Sequence, residues 1–448
     1  MRRIASIATL IVTALLAAGC TGPDGGSNPG TTTPGANAAL PVTLAWAPAI
    51  DLKSNGYEPG IAVDSTGILY MTAHKELNRP ETWPYPASWM LMSRDGGKSW
   101  GSLASPAQVH EKYVGDEGDI AIDGRDWVYF IDTYLGDNHL HAWSNHGQNW
   151  EYSIEQHSTA ADDRPWLAAQ GEGVLHYLGN NGNEVNGGRY WYYRSTDGGL
   201  TWTTGLPVLG NGWATIEAER GGAYAYIVTE EDASQGDLKV MVSDDQGATW
   251  GPQEVVAKRG AGLRYPVVDV DDAGNVYVLY GEEGTNGTTE VHLSVSTDHG
   301  KTWKTQDITP FKGYLDYPWV NAGPAGVVGV AFYATKDLPL SASSKWFLYG
   351  GLAVGADGNA SFTTAGRTFE PTVDASGFPV FDFSIGDPTP AYVGANREAL
   401  HDFFEVAVGP DGALNVAYMH SPVYVESGGE ATQTNRLLYF ARGLPSLA

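Results

Sequence analysis

Five stretches of this chain share one spacing: SRDGGKSW (93–100), WSNHGQNW (143–150), STDGGLTW (195–202), SDDQGATW (243–250) and STDHGKTW (296–303). A sixth, GADGNASF (355–362), keeps Asp357, Ser361 and Phe362 but lacks the Gly and the Trp. The acidic or Asn position recurs at 95, 145, 197, 245, 298 and 357, at intervals of 48 to 59 residues. That interval suits one four-stranded antiparallel sheet per repeat, the unit of a β-propeller. The chemistry is that of a hairpin turn. An Asp carboxylate accepts nearby backbone N–H groups, Gly takes the positive φ, and the Trp leaves the turn to pack into the sheet.

A second repeat precedes the boxes: EPGIAVDSTGILYMTAH (58–74), EGDIAIDGRDWVYFIDT (117–133), RPWLAAQGEGVLHYLGN (164–180), ATIEAERGGAYAYIVTE (214–230), YPVVDVDDAGNVYVLYG (265–281), YPWVNAGPAGVVGVAFY (317–333) and FFEVAVGPDGALNVAYM (403–419). Each reads as an apolar innermost strand, a tight turn and an alternating second strand. Seven copies predict seven blades; six blades plus a small appendage is the alternative. The last copy is one strand short of a blade, and Val42–Ile50 is expected to supply that strand and close the ring without a free edge.

The boxes identify the resemblance: they are Asp-box (BNR) motifs, and 41–448 resembles a sialidase-like propeller. The resemblance implies that the boxes lie on the face opposite the active site. It also implies, for a sialidase, a Tyr nucleophile paired with Glu, an Asp acid/base and three Arg gripping a carboxylate. The family's first Arg sits in an Arg-Ile-Pro motif; here that place reads Tyr57-Glu58-Pro59. A carboxylate there would repel sialic acid.

Composition narrows the rest. With 42% hydrophobic residues in 448 positions the chain can bury a large core, and 52 acidic against 26 basic side chains, net −26, argue against a nucleic-acid partner. The single cysteine excludes an internal disulfide framework. It stands at Cys20, after a basic start (Arg2, Arg3) and an apolar run from Ile4 to Ala18, in Leu15-Leu16-Ala17-Ala18-Gly19-Cys20. This resembles a bacterial lipobox, although Ala17 holds the place where Leu is usual. The expected organisation is a lipoprotein signal (1–19), a lipidated Cys20 with a Gly/Pro/Ser/Thr-rich tether (20–40), and one propeller (41–448). Lipid-anchored at Cys20, the protein is expected at the cell surface or on a periplasm-facing membrane, as a monomer, touching the membrane through its anchor alone.

Charged residues gather where the innermost strands begin: Glu58, Asp116, Glu117, Asp119, Asp162, Asp163, Arg164, Glu217, Arg264, Asp316 and Asp402. They read either as a functional funnel or as polar solvation of a water-filled channel. The catalytic candidates are Glu217, Tyr317 and Asp316. The ligand-binding candidates are Glu58, Arg164, Arg264 and Arg397, with Trp83, Trp191 and Trp213 as stacking surfaces for sugar rings. The long interval from Pro318 to Phe404, mostly 363–402, is either a functional rim or a packing flap. No metal site or cofactor is assigned: the oxygen-rich segments would suit Ca²⁺, but no EF-hand spacing exists, and DVDDAGN (269–275) reads as a strand-to-strand turn. The leading functional reading is recognition or processing of extracellular glycans, or a similar polymer, at the axial funnel. The alternatives are an exo-acting glycoside hydrolase of sialidase type and a non-enzymatic scaffold for protein ligands.

Overall fold

The structure, a computed structural model, describes residues 41–75, 88–103, 117–134, 137–156, 163–185, 188–210, 212–231, 236–258, 262–356, 361–421, 425–427, 430–432 and 436–447. The expected signal (1–19), Cys20 and the expected tether up to residue 40, with Trp83, Asp116 and Asp162, lie outside the described residues. So do the side chains of Glu117, Asp163, Arg164, Arg264 and Arg397.

Among the described residues every regular element is a β-strand apart from two short 3-10 turns, Thr285–Gly287 and Arg397–Leu400. Four antiparallel sheets of four strands begin with Glu117–Ile122, Asp163–Gln170, Ala214–Ala218 and Gly262–Val270. A fifth sheet orders Tyr314–Ala322, Val327–Thr335 and Lys345–Val354. Its outer edge is supplied by Ser384–Ile385 and Tyr392–Val393, both from the long 363–402 segment. In the remaining large sheet Val406–Val408, Leu414–His420 and Leu437–Ser446 continue through Ile50–Val63 into Leu69–Lys75 and Trp89–Ser93. This all-β succession of four-stranded antiparallel sheets is a propeller-type fold.

The N-terminal segment pairs with the last strand over a longer stretch than Val42–Ile50. Thr43 sits opposite Ser446 and Trp46 opposite Gly443, and after a break Ile50 pairs with Phe440 and Asn55 with Leu437. The same strand then shifts register between Tyr57 and Gly60, and Gly60 pairs with Thr72. Equivalent shifts occur at Asp163/Trp166, Leu263/Val267 and Asp316/Trp319. Each spans an X-Pro pair (Pro59, Pro165, Pro266, Pro318). Pro cannot donate to the ladder, so a bulge is where a strand accommodates it.

The boxes form the turns their composition implies. Asp95 accepts the Ser99 amide at 2.9 Å and its hydroxyl at 2.6 Å, while Ser93 Oγ accepts the Gly97 amide at 2.9 Å. Asp197, Asp245 and Asp298 repeat this with Thr201, Thr249 and Thr302. The Ser99 hydroxyl and amide hold the Asp95 carboxyl down at about 2. Trp100 and Trp303 return their indole N–H to Gly97 and Gly300 of their own boxes at 3.0 Å. The central strands are apolar on both faces because neighbouring sheets cover both sides; Val327–Thr335 is buried at every position.

Candidate functional site: a chamber lined by carboxyl groups

The innermost strands end on equivalent turn residues: Asp64, Asp123, Gln170, Glu219, Asp271, Gly323 and Gly409. In the sharpest examples the turn carboxylate caps its own turn. Asp271 accepts the Ala273 and Asn275 amides at 2.9 and 3.0 Å and the Tyr277 hydroxyl at 3.0 Å, so DVDDAGN is such a turn. Side chains alternate along a strand, so the residues two and four places before the turn share one face. Two back stand Glu217, Asp269 and Asn321 beside Ala62, Ala121 and Ala407; four back stand Asp119, Thr215 and Glu405 beside Trp166, Val267 and Trp319. All of these line one cavity of about 740 Å³.

At one end Trp166, Trp319 and Phe403 close on one another, with ring centroids 5.1 to 5.8 Å apart. The other end is rimmed by strand-to-strand turns, including exposed Ser65, Gly221 and Pro410. Arg220 reaches across this mouth, donating to Val63 O at 2.9 Å and Ile122 O at 3.3 Å. The chamber therefore opens on the face that carries the Asp-box turns, not on the opposite face where the resemblance places the site.

Its polar side chains also tie one innermost strand to the next. Asp119 accepts the Leu167 amide at 2.7 Å, Glu405 the Ile61 amide at 3.0 Å, and Asn321 the Val408 amide at 2.7 Å. Asp269 accepts Asn321 Nδ2 at 2.6 Å, and Thr215 Oγ1 donates to Pro266 O and accepts the Val268 amide. An innermost strand has an open edge, and these groups satisfy it. The electrostatic consequence is large. Burial pushes the Asp119 carboxyl up to about 7 against the pull of the Leu167 and Ile120 amides. Burial, with the Asp119 charge adding to it against the Ala218 amide, brings Glu217 to about 7 as well. Burial and the Glu217 charge drive Asp269 well above the carboxylate range; burial and the Asp119 charge do the same to Glu405. A neutral carboxyl both donates and accepts, which matches a hydroxyl-rich ligand.

A second cluster surrounds Glu58. Its Oε2 lies 3.1 Å from His74 Nε2 and its Oε1 3.3 Å from His401 Nδ1, and the Asp402 amide donates to Oε1 at 3.3 Å. The Tyr57 ring is stacked between the two imidazoles, at 4.3 and 4.1 Å. Burial alone would raise the Glu58 carboxyl, but the bonds from His401 and His74 hold it well below the usual range. Burial lowers His401. His401, Asp402 and Phe403 all arrive at the end of the long segment that first edges the fifth sheet.

The sequence candidates thus fall in different places. Glu217 lines the chamber and Glu58 anchors the His74/His401 cluster. Tyr317 and Asp316 are buried outside the cavity lining: Tyr317 packs edge-on against Tyr333 at 6.2 Å, and Asp316 accepts the Tyr317 amide at 3.1 Å. The half-buried Trp191 packs against the core cluster that contains Leu167, Tyr177 and Tyr193, and the Arg189 guanidinium lies 3.9 Å from the centre of the Trp213 ring. Asp269 and Glu405 escaped the sequence reading; counting back from the turn residue in register with Glu217 and Asp119 would have found both.

A BNR/Asp-box repeat model matches residues 294–305, the stretch holding the Asp298 box. Among solved structures the chain is similar to a fungal alcohol oxidase in complex with copper (13% identity, TM-score 0.54, 90% of this chain and 76% of that one). It is also similar to an ulvan lyase bound to a GlcA–Rha3S ligand (11%, 0.49, 88% and 95%). A third is the intramolecular trans-sialidase of Ruminococcus gnavus with oseltamivir carboxylate (14%, 0.41, 90% and 98%). No curated protein sequence matches the chain. The chain carries a BNR/Asp-box repeat, and at these identities the likeness to solved structures concerns the fold.

Proposed function

We propose that this is a lipid-anchored surface protein whose seven-bladed propeller recognises extracellular carbohydrate in its axial chamber. Seven innermost strands in one register, and hydrogen bonds that link Glu405, just ahead of Val406–Val408, back to Pro59 and Ile61, support a closed seven-blade ring. Lipidation at Cys20 rests on the lipobox-like sequence alone. The observation that carries the ligand class is the lining of the 740 Å³ cavity: four carboxyl groups, Asp119, Glu217, Asp269 and Glu405, converge there with their proton affinities raised by burial, beside Trp166 and Trp319. Such walls offer hydroxyl partners and apolar ring faces together, and the volume suits one or two sugar rings.

A second reading, acid–base processing of the bound glycan, is favoured by the His74–Glu58–His401 cluster, where an ionised carboxylate orients two imidazoles. A Tyr–Glu sialidase pair finds less support, because Tyr317 and Glu217 do not share the cavity.

A glycan array and a fluorogenic-glycoside panel, run on the purified protein at pH 5.5 and pH 8.5, test this. Binding at pH 5.5 that weakens at least about tenfold at pH 8.5 is expected, because ionised carboxylates lose their donor role and repel each other. Absence of glycan binding at both pH values would remove the reading and leave the protein scaffold as the better account.

A further inference from the structure

We propose that the junction of the first two sheets, at Asp64, Asp126 and His146, binds a zinc ion. One ligand atom from each residue falls in a group whose members all lie within 4.8 Å of one another. His146 Nδ1 is 2.9 Å from Asp64 Oδ2 and 3.9 Å from Asp126 Oδ2. An imidazole nitrogen with two carboxylate oxygens is a zinc donor set, and water completes the tetrahedron. The imidazole is about one-third exposed, which leaves an entry path.

Both carboxylates are already oriented. Tyr70 donates its hydroxyl to Asp64 Oδ2 at 3.0 Å, and the Thr66 and Ile68 amides hold Asp64 Oδ1. Ser65 donates its amide to Asp126 Oδ1 at 2.9 Å and its hydroxyl to Oδ2 at 2.6 Å. Hydrogen bonds of this kind fix ligating carboxylates in metal centres. Arg220 Nη1 lies 4.0 Å from Asp126 Oδ1, the oxygen turned away from the imidazole pairing, while its Nη2 is committed to Val63 O.

The repeat supplies an internal comparison. Asp126 has φ 59° at the turn position where Gly67, Gly173, Gly274, Gly326 and Gly412 stand in sister repeats. His146, with φ 55°, stands where the sister boxes carry Gly96, Gly198, Gln246 and His299. Two left-handed backbone positions, one of them mostly glycine in the sister repeats, thus carry donors at the same junction. At the corresponding junction further round, His299 Nδ1 meets Glu219 Oε1 at 3.1 Å, but Gly274 replaces the second carboxylate, so only two donors are present.

The test uses the full chain, freed of metal by chelator and dialysis, with ZnCl₂ as the probe. Calorimetry is expected to give one zinc per chain, with a rise in Tm of about 2–4 °C at a hundredfold excess over Kd. Asp126→Gly and His146→Gly place in each position the residue that sister repeats already carry, so both variants should fold. Each should weaken zinc binding at least about tenfold and lose the Tm shift. Zinc bound equally by both variants, no zinc bound by the wild type, or calcium preferred to zinc would each overturn the proposal.

Discussion

Gly97→Ala is expected to destabilise the protein by about 4 kcal/mol or more, while Gly101→Ala, four residues on, leaves stability within about 0.5 kcal/mol. Gly97 lies in the first Asp box with φ 85°, where an L side chain is strained. A Cβ added there would stand 1.8 Å from Phe440 Cε1, on the last long strand. The Phe440 ring has no free side to retreat to. It is buried and packs edge-on against Trp100 at 5.2 Å, and its backbone pairs with Ile50 and Ala417. At Gly101 no atom lies within 4 Å. Denaturant unfolding of both variants checks this, and the contrast reports directly on the packing of the first box against the C-terminal strand.

Stability of the wild type is expected to be greatest near pH 5 and to fall toward pH 8, with Glu217→Gln removing part of that fall. The sign follows from proton counts. A carboxyl raised in the folded state holds its proton between its unfolded value and its folded one, so the folded state binds more protons in that window and stability declines as pH rises through it. For Asp119 and Glu217 the window runs from about 4 to about 7. Glu58 works oppositely: its lowered carboxyl contributes stability above its unfolded value, and this is lost as pH falls through the acid range. Glutamine keeps the Oε1 that accepts the Ala218 amide at 2.8 Å but cannot ionise. Glu217→Gln should therefore be on the order of 2 kcal/mol more stable than wild type at pH 8 and nearly equal to it at pH 4.5. Urea unfolding at the two pH values measures the difference.

How much of this was written plainly in the chain differs by feature. The boxes were legible because each is local: Asp95 meets Ser99, four residues away, and the same contact recurs at Asp197, Asp245 and Asp298. Pairing of the N-terminal segment with the last strand was legible from a final repeat one strand short, although the pairing runs on to Asn55. The chamber was only half legible. Asp119 and Glu217 stood out as charges, but Asp269 was hidden in a turn-like acidic run and Glu405 among Phe403, Phe404 and Val406. The His74–Glu58–His401 cluster joins residues over 300 positions apart, held together by a bulge at Pro59 and the approach of the 363–402 segment, and no local pattern announces it. The plug of Trp166, Trp319 and Phe403 likewise depends on side chains from Asp163–Gln170, Tyr314–Ala322 and the segment ahead of Val406–Val408 meeting across long sequence separations.

The chamber and the Glu58 cluster are separable by one titration. With the best array ligand at pH 5.5, calorimetry on Ala62→Phe and Glu58→Gln compares a filled chamber with an altered cluster. Ala62 lines the cavity in register with Glu217, so a benzyl group there occupies ligand space, whereas Glu58 is not among the lining residues. The account predicts that Ala62→Phe weakens binding more than about tenfold, a loss of over about 1.4 kcal/mol, and that Glu58→Gln leaves affinity nearly unchanged. Full affinity in Ala62→Phe together with loss in Glu58→Gln would contradict it and move the carbohydrate site to the His74/His401 cluster.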